Sequence, residues 1–150
     1  ALSGPRASGL GPRAERRQAS GHVRPLRYGS AMSRDPWRLK VFVLADELVV
    51  DVYRATAKFP AEERFGLQSQ LRRAAVSAAA NLVEGSARRT LRDYLHFAGI
   101  SLSSGSEARY LIDLSRRLGY LDEPHLRERY TELIKGIQAL IESLERRAEA

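Results

Sequence analysis

Three histidines are the first candidates for proton transfer or metal binding in this chain: His22, His96 and His125. None pairs with another in an HxxxH or Glu-x-x-His spacing, and a carboxylate-bridged metal bundle needs Glu-x-x-His on two helices. Ser77, Ser103 and Ser104 have no neighbouring base, and neither a G-x-S-x-G elbow nor a Walker phosphate loop occurs. With no cysteine there is no thiol nucleophile, thiolate metal site or disulfide. We therefore expect no catalytic residues, metal or cofactor. An enzyme would need a pocket of perturbed titrating groups, for which Glu84 and Glu107 are the best placed.

The polar residues of Leu71–Gly85, LRRAAVSAAANLVEG, are more informative. Arg73, Ser77, Asn81 and Glu84 follow one another at steps of four, four and three, which puts them on one side of a helix. They read either as a shared polar site or subunit-contact network, or as satisfied groups in which Ser77 bonds back to its own helix and Asn81 fixes register. Glu107 could reach Arg73 or Asn81 from a neighbouring helix.

Basic residues cluster at Arg72/Arg73, Arg88/Arg89/Arg92, Arg116/Arg117 and Arg146/Arg147. Around Arg88, Arg89 and Arg92 we expect no neutralising carboxylate one helical turn before. With Arg72 these three are the candidate nucleic-acid-binding residues: weak as one patch, stronger if repeated round a symmetric oligomer, because phosphate contacts add. Trp37, Tyr28 and Tyr53 look too scattered to form a stacking platform for single-stranded bases.

The elements that must position these groups are helices. Seven of the fifteen residues of Leu71–Gly85 are Ala or Leu, and Gly85 is the expected left-handed cap. The run Ala74, Ala75, Ala78, Ala79, Ala80 implies a second helix lying very close. Before it, Leu39, Phe42, Ala45, Val49, Val52 and Thr56 give a helix over about 38–58, its apolar stripe wide enough for more than one partner. After it, Thr90 resembles the cap of a third helix running to about Leu118, whose small-residue face is Tyr94, Ala98, Ser101, Gly105, Ala108, Ile112 and Ser115. Gly119 should end that helix and Asp122 cap a fourth, in which Leu126, Tyr130, Leu133, Ile137, Leu140 and Leu144 recur at three or four. Short connections predict an all-α, antiparallel up-down-up-down four-helix bundle over 36–150.

Residues 1–35 differ. They hold five Gly, three Pro and seven Arg against Glu15 and Asp35, without apolar periodicity, and we read them as a disordered basic tail. Met32 is the only methionine, so the natural product could begin there; the alternative is a basic arm for nucleic acid. No 18-residue apolar run or signal-peptide core is present, and the absence of cysteine fits a cytoplasmic location.

In QLRRAAVSAAANLVEGSAR (Gln70–Arg88), DYLHF (Asp93–Phe97), Glu107 and RRLGYL (Arg116–Leu121), the chain resembles the 23S ribosomal RNA intervening-sequence proteins over about 37–145. The family's Arg-Ala-x-x-Ser-x-x-x-Asn-x-x-Glu-Gly pattern falls on Arg73, Ala74, Ser77, Asn81, Glu84 and Gly85. Its usual Gly-Ser-x-x-Glu-x-Glu segment is altered, with Ser103 for the Gly and Arg109 for the second acid, which argues against a two-carboxylate site there. The resemblance implies a bacterial four-helix bundle assembling into a homopentameric ring, without established catalysis. Relatives include the accessory variability determinant of diversity-generating retroelements, which implies nucleic acid and a reverse transcriptase as further partners. The expected function is thus a non-enzymatic homo-oligomer with a basic ring for RNA or DNA. The alternative is a structural or protein-interaction adaptor.

Overall fold

The computed structural model describes residues 35–150. They form four helices and, among the described residues, no strand: α1 (Lys40–Thr56), α2 (Leu67–Ser86), α3 (Leu91–Arg117) and α4 (Pro124–Glu149). Single 3-10 turns, Pro36–Arg38 and Ala61–Glu63, precede α1 and α2. The expected disordered tail and the start at Met32 lie, apart from Asp35, outside the described residues.

The 3-10 turn before α1, the starts of α2 and α3, and the end of α3 fall where the sequence supplies partners for orphan backbone groups. Asp35 accepts from the amide of Trp37 at 3.1 Å, capping the first turn. Gly66 has no side chain to cap α2, and the Glu63 carboxylate does it instead, accepting from the Leu67 amide at 2.9 Å. Thr90 caps α3 as expected, its hydroxyl accepting from the Asp93 amide. At the other end Gly119 takes φ +77°, the Tyr120 amide donates to the Ser115 carbonyl and the Gly119 amide to that of Arg116. That pair of bonds is a Schellman closure.

Two expected boundaries are displaced. Gly85 is not a left-handed cap: α2 runs one residue past it to Ser86, and Gly119 is the only described glycine with positive φ. The reason lies in packing, because a Cβ on Gly85 would sit 2.7 Å from a ring carbon of Tyr94 and 3.1 Å from the Cβ of Phe97. Nor does Asp122 cap α4. Glu123 holds that position without a side-chain bond, and Pro124 supplies the preset φ of the first turn.

Cross-helix contacts fix the directions of the pairs. Between α2 and α3, Gln70 meets Glu107, Ser77 meets Ser104, and Gly85 lies against Tyr94, so numbers rise on one helix as they fall on the other. Gly105 packs near Ile134 while Asp113 pairs with Arg127 at 2.6 Å, which makes α3 and α4 antiparallel as well. Val41 contacts Gly136, and Glu47 and Asp51 pair with Arg129, so α1 and α4 are antiparallel too.

The core follows the apolar stripes. Phe42, Ala45, Leu48 and Val52 of α1, Leu71 and Leu82 of α2, Leu111 and Ile112 of α3 and Leu126, Tyr130, Leu133 and Ile137 of α4 belong to one buried cluster. Tyr130 is completely buried; burial first, and the Asp51 carboxylate second, push its phenol well above the ordinary tyrosine range, with Arg129 opposing.

The most extensive helix pairing is α2 with α3. Ala74, Ala75, Ala78 and Ala79 of α2 and Ala98, Ser101, Ala108 and Ser115 of α3 are buried, whereas Ala80 faces solvent and Gly105 turns its open side to Ile134 and Ile137 of α4. Ser101, wholly buried, donates its hydroxyl to the backbone carbonyl of Ala78 at 2.6 Å. A side chain with one carbon can reach the next helix's main chain only where the two backbones nearly touch.

Candidate nucleic-acid interface

The residues of the polar seam separate into two groups. Ser77 and Asn81 are half-buried at the joint of α2 and α3, where Ser77 Oγ shares a hydrogen bond of 2.7 Å with Ser104 Oγ. Asn81 Nδ2 donates to the Ser77 carbonyl at 2.8 Å and to its hydroxyl at 3.1 Å. Ser77 therefore bonds across to α3, not back to its own helix, and Asn81 supports it from one turn away. Glu107 reaches neither Arg73 nor Asn81; it accepts instead from Gln70 Nε2 at 3.3 Å, near the solvent. Arg73 and Glu84 are exposed. Among the described residues no buried side-chain nitrogen or oxygen lacks a partner. The seam is a satisfied packing network, with Ser77–Ser104 as its crossing point.

Just beyond α2 lie the arginines of the α2–α3 connection. The expectation that no carboxylate stands one turn before them fails at Arg88, because α2 extends far enough to stack Glu84 and Arg88 four residues apart. Arg88 pairs with Glu84, and its guanidinium lies 4.5 Å from the centre of the Phe97 ring. Both ion-pair partners are about half exposed, so the pair contributes little to stability. Arg88 is oriented by two neighbours, while Arg89 and Arg92 are exposed on the loop and first turn of α3.

Arg72, the fourth candidate, has a structural task. Its Nε donates to Thr56 Oγ1 at 2.8 Å, its Nη2 to the Tyr53 carbonyl at 3.2 Å, and its guanidinium stacks 4.5 Å above the Tyr53 ring. It ties α2 to the last turn of α1, whose end carries partial negative charge. Beside it lie Arg64, Phe65 and Arg73. The aromatic residues are thus less scattered than the sequence suggests. Tyr53 and Phe65, twelve positions apart, border one cleft. Phe65 was missed because it belongs to no apolar stripe; its place between Arg64 and Gly66, outside any helix, was the available signal.

Charge is distributed unevenly along the folded part. Residues 64–92 hold six arginines against the single Glu84, whereas 36–63 and 93–150 together hold twelve basic and fifteen acidic side chains. The positive surplus of the bundle therefore lies on α2 and its two flanks. A different cleft, of about 490 Å³, opens where the end of α1 meets the α3–α4 connection. Its lining mixes Arg54, Lys58, His125 and Arg129 with Asp51, Asp122 and Glu123. There Arg129 bridges Asp51 and Glu47, a fixed ionic clasp between α4 and α1.

Among the described residues no group of three or more His, Asp or Glu side chains is placed to hold a metal ion. Also among them, no helix is long and apolar enough to cross a membrane.

A family model for the 23S rRNA-intervening sequence protein matches residues 38–143. Among solved structures, a protein of unknown function from the S23 ribosomal protein family of Bacteroides thetaiotaomicron VPI-5482 has a TM-score of 0.61 and 21% sequence identity. The match covers 67% of this chain and 97% of that one. At that identity the likeness concerns the fold. No curated protein sequence matches.

Proposed function

The chain belongs to the 23S rRNA-intervening sequence protein family, and on that premise we propose that it is a non-enzymatic homo-oligomer that binds RNA or DNA through arginines on α2 and its flanks. The observation that carries this reading is the concentration of positive charge at 64–92 in a bundle whose remaining residues are net acidic. Arg89 and Arg92 present guanidinium groups at the α2–α3 connection, with Arg88 held beside them by Glu84 and Phe97. In a pentameric ring, as the family likeness suggests, five such connections would form one basic circle, and counterion release would grow with each phosphate neutralised. We place the protein in the cytoplasm. A reverse transcriptase is the protein partner suggested by the resemblance to retroelement accessory proteins.

A second reading, a structural or protein-interaction adaptor, is favoured by one observation: Arg88 is already committed to Glu84 and Phe97. Two measurements separate the readings. Light scattering of the purified chain should give a multiple of the protomer mass, and a monomer would remove the ring. Arg89→Glu with Arg92→Glu should lower affinity for a short RNA at low salt by at least about tenfold. Unchanged affinity would favour the adaptor. Neither substitution threatens the fold, since both side chains are exposed and an acid in the first turn of α3 suits the helix dipole.

A further inference from the structure

The last turn of α1 and the start of α2 enclose a cleft of about 320 Å³, at the small end of ligand clefts. Its lining is Tyr53, Arg64, Phe65, Gln68, Ser69, Arg72 and Arg73, three guanidinium groups and two aromatic rings without a carboxylate. Among the described residues no acidic side chain lies within ion-pairing distance of Arg64, Arg72 or Arg73. The nearby Glu63 carboxylate is engaged with the Leu67 amide.

Two features of this cleft are unusual on a helical bundle. Phe65 is 89% exposed, the most exposed of the chain's large apolar side chains among the described residues, and it stands on the short connection before Gly66 with the Arg64 guanidinium 5.5 Å from its ring centre. Arg72, by contrast, is fixed: stacked on Tyr53, it spends two of its five N–H donors on Thr56 and Tyr53 and keeps the rest for something else. A flat apolar face beside a pre-oriented guanidinium matches a ligand that is itself a flat ring joined to an anion. An aliphatic or purely anionic ligand would leave Phe65 unexplained.

We infer that this cleft takes an unpaired nucleobase with its phosphate, the base stacked on Phe65 and the phosphate held by Arg72 and Arg73. The inference builds on the nucleic-acid reading above and adds a separate site and a preference for single strands. The Arg64 guanidinium now lies over the Phe65 ring, and on its flexible stem it can swing aside to stack on the outer face of an arriving base.

The test compares the affinity of the full chain for a short single-stranded oligodeoxyadenylate with that for an abasic strand of equal length and charge. Phosphate contacts, including any made by the arginines before residue 35, are common to both ligands, so the ratio reports the base alone. The wild type should prefer the adenylate strand at least about fivefold. Phe65→Ala should abolish the preference and Phe65→Tyr retain it. Arg89→Glu with Arg92→Glu should weaken both strands and leave the ratio intact, so that failure of the α2–α3 arginines and failure of the cleft give different patterns. Competition by adenosine monophosphate tells a free nucleotide from a polymer as the natural source. Equal affinities in the wild type together with no Phe65-dependent binding of the mononucleotide would overturn the inference. So would a preference that survives Phe65→Ala, or a Phe65→Ala protein whose oligomeric mass changes, since Phe65 would then be a subunit contact.

Discussion

Replacing Ser101 with Leu is expected to destabilise the bundle by about 3 kcal/mol, the upper part of the range for overpacking a filled core. Ser101 is completely buried, and its hydroxyl lies 2.6 Å from the backbone carbonyl of Ala78. The two further heavy atoms, and a branch in place of a single hydroxyl, have nowhere to go unless α3 is pushed off α2. Because the buried flanking positions Ala98 and Ala108 are also small, that shift would loosen the seam along its length. Ser101→Ala is the control. It removes the hydroxyl without adding volume and should cost about 1 kcal/mol, the net worth of one hydrogen bond. Thermal melts of both variants distinguish the terms: the Leu variant should lose roughly 10 °C and the Ala variant a few. A Leu variant as stable as the Ala variant would mean that the two helices are not held in close contact by their small residues.

That close pairing was legible in the sequence because it depends on side-chain size at helical spacing, and so were the four helices, the Thr90 cap and the Gly119 turn. Boundaries decided by tertiary contact were not. At Gly85 the local signal for a helix stop was strong, yet the residue is glycine because Tyr94 and Phe97 of α3 leave no room for a Cβ. At α4 the local signal favoured Asp122, and Pro124 opens the helix one position later than an Asp122 cap requires.

Gly85 accordingly provides the second large effect, one that should change sign with its neighbour. In an otherwise intact protein Gly85→Ala gains about 1 kcal/mol of helix propensity but forces a methyl into the Tyr94 ring. Since Tyr94 is buried and cannot swing clear, the clash should win by about 1–2 kcal/mol. With Tyr94→Ala already present the nearest obstruction is gone and only the Phe97 Cβ, at 3.1 Å, remains, so the same Gly85→Ala change should turn mildly stabilising, by up to about 1 kcal/mol. Urea unfolding of the four proteins in this double-mutant cycle should therefore give a coupling of about 2–3 kcal/mol. Additive behaviour would show that Gly85 is not there for the aromatic ring.

The candidate sites were legible to different degrees. Arg88, Arg89 and Arg92 stand out in the sequence as a cluster, but the Glu84–Arg88 pair does not, because a helix stop expected at Gly85 would break their spacing of four. The serine crossing at Ser77–Ser104 could not be read, because which of several serines on α3 meets α2 depends on the register of the two helices. Glu107 was expected to serve Arg73 or Asn81 and meets Gln70 because that same register sets it one turn nearer the start of α2. The cleft at Phe65 was hidden for a third reason. Its residues come from the end of α1, a connection and the start of α2, and only folding brings Tyr53 beneath Arg72.

The central claim is that arginines of α2 and its flanks neutralise phosphates. The most direct measurement of it is the salt dependence of affinity for a short single-stranded RNA, taken for the wild type and for Arg89→Glu with Arg92→Glu. On a log–log plot each phosphate contact contributes about −0.7 to the slope for single strands. The wild type should show a slope steeper than about −3, and the variant should be shallower by about 1.5. Absence of binding at low salt, or a slope that the two substitutions leave unchanged, would contradict the account.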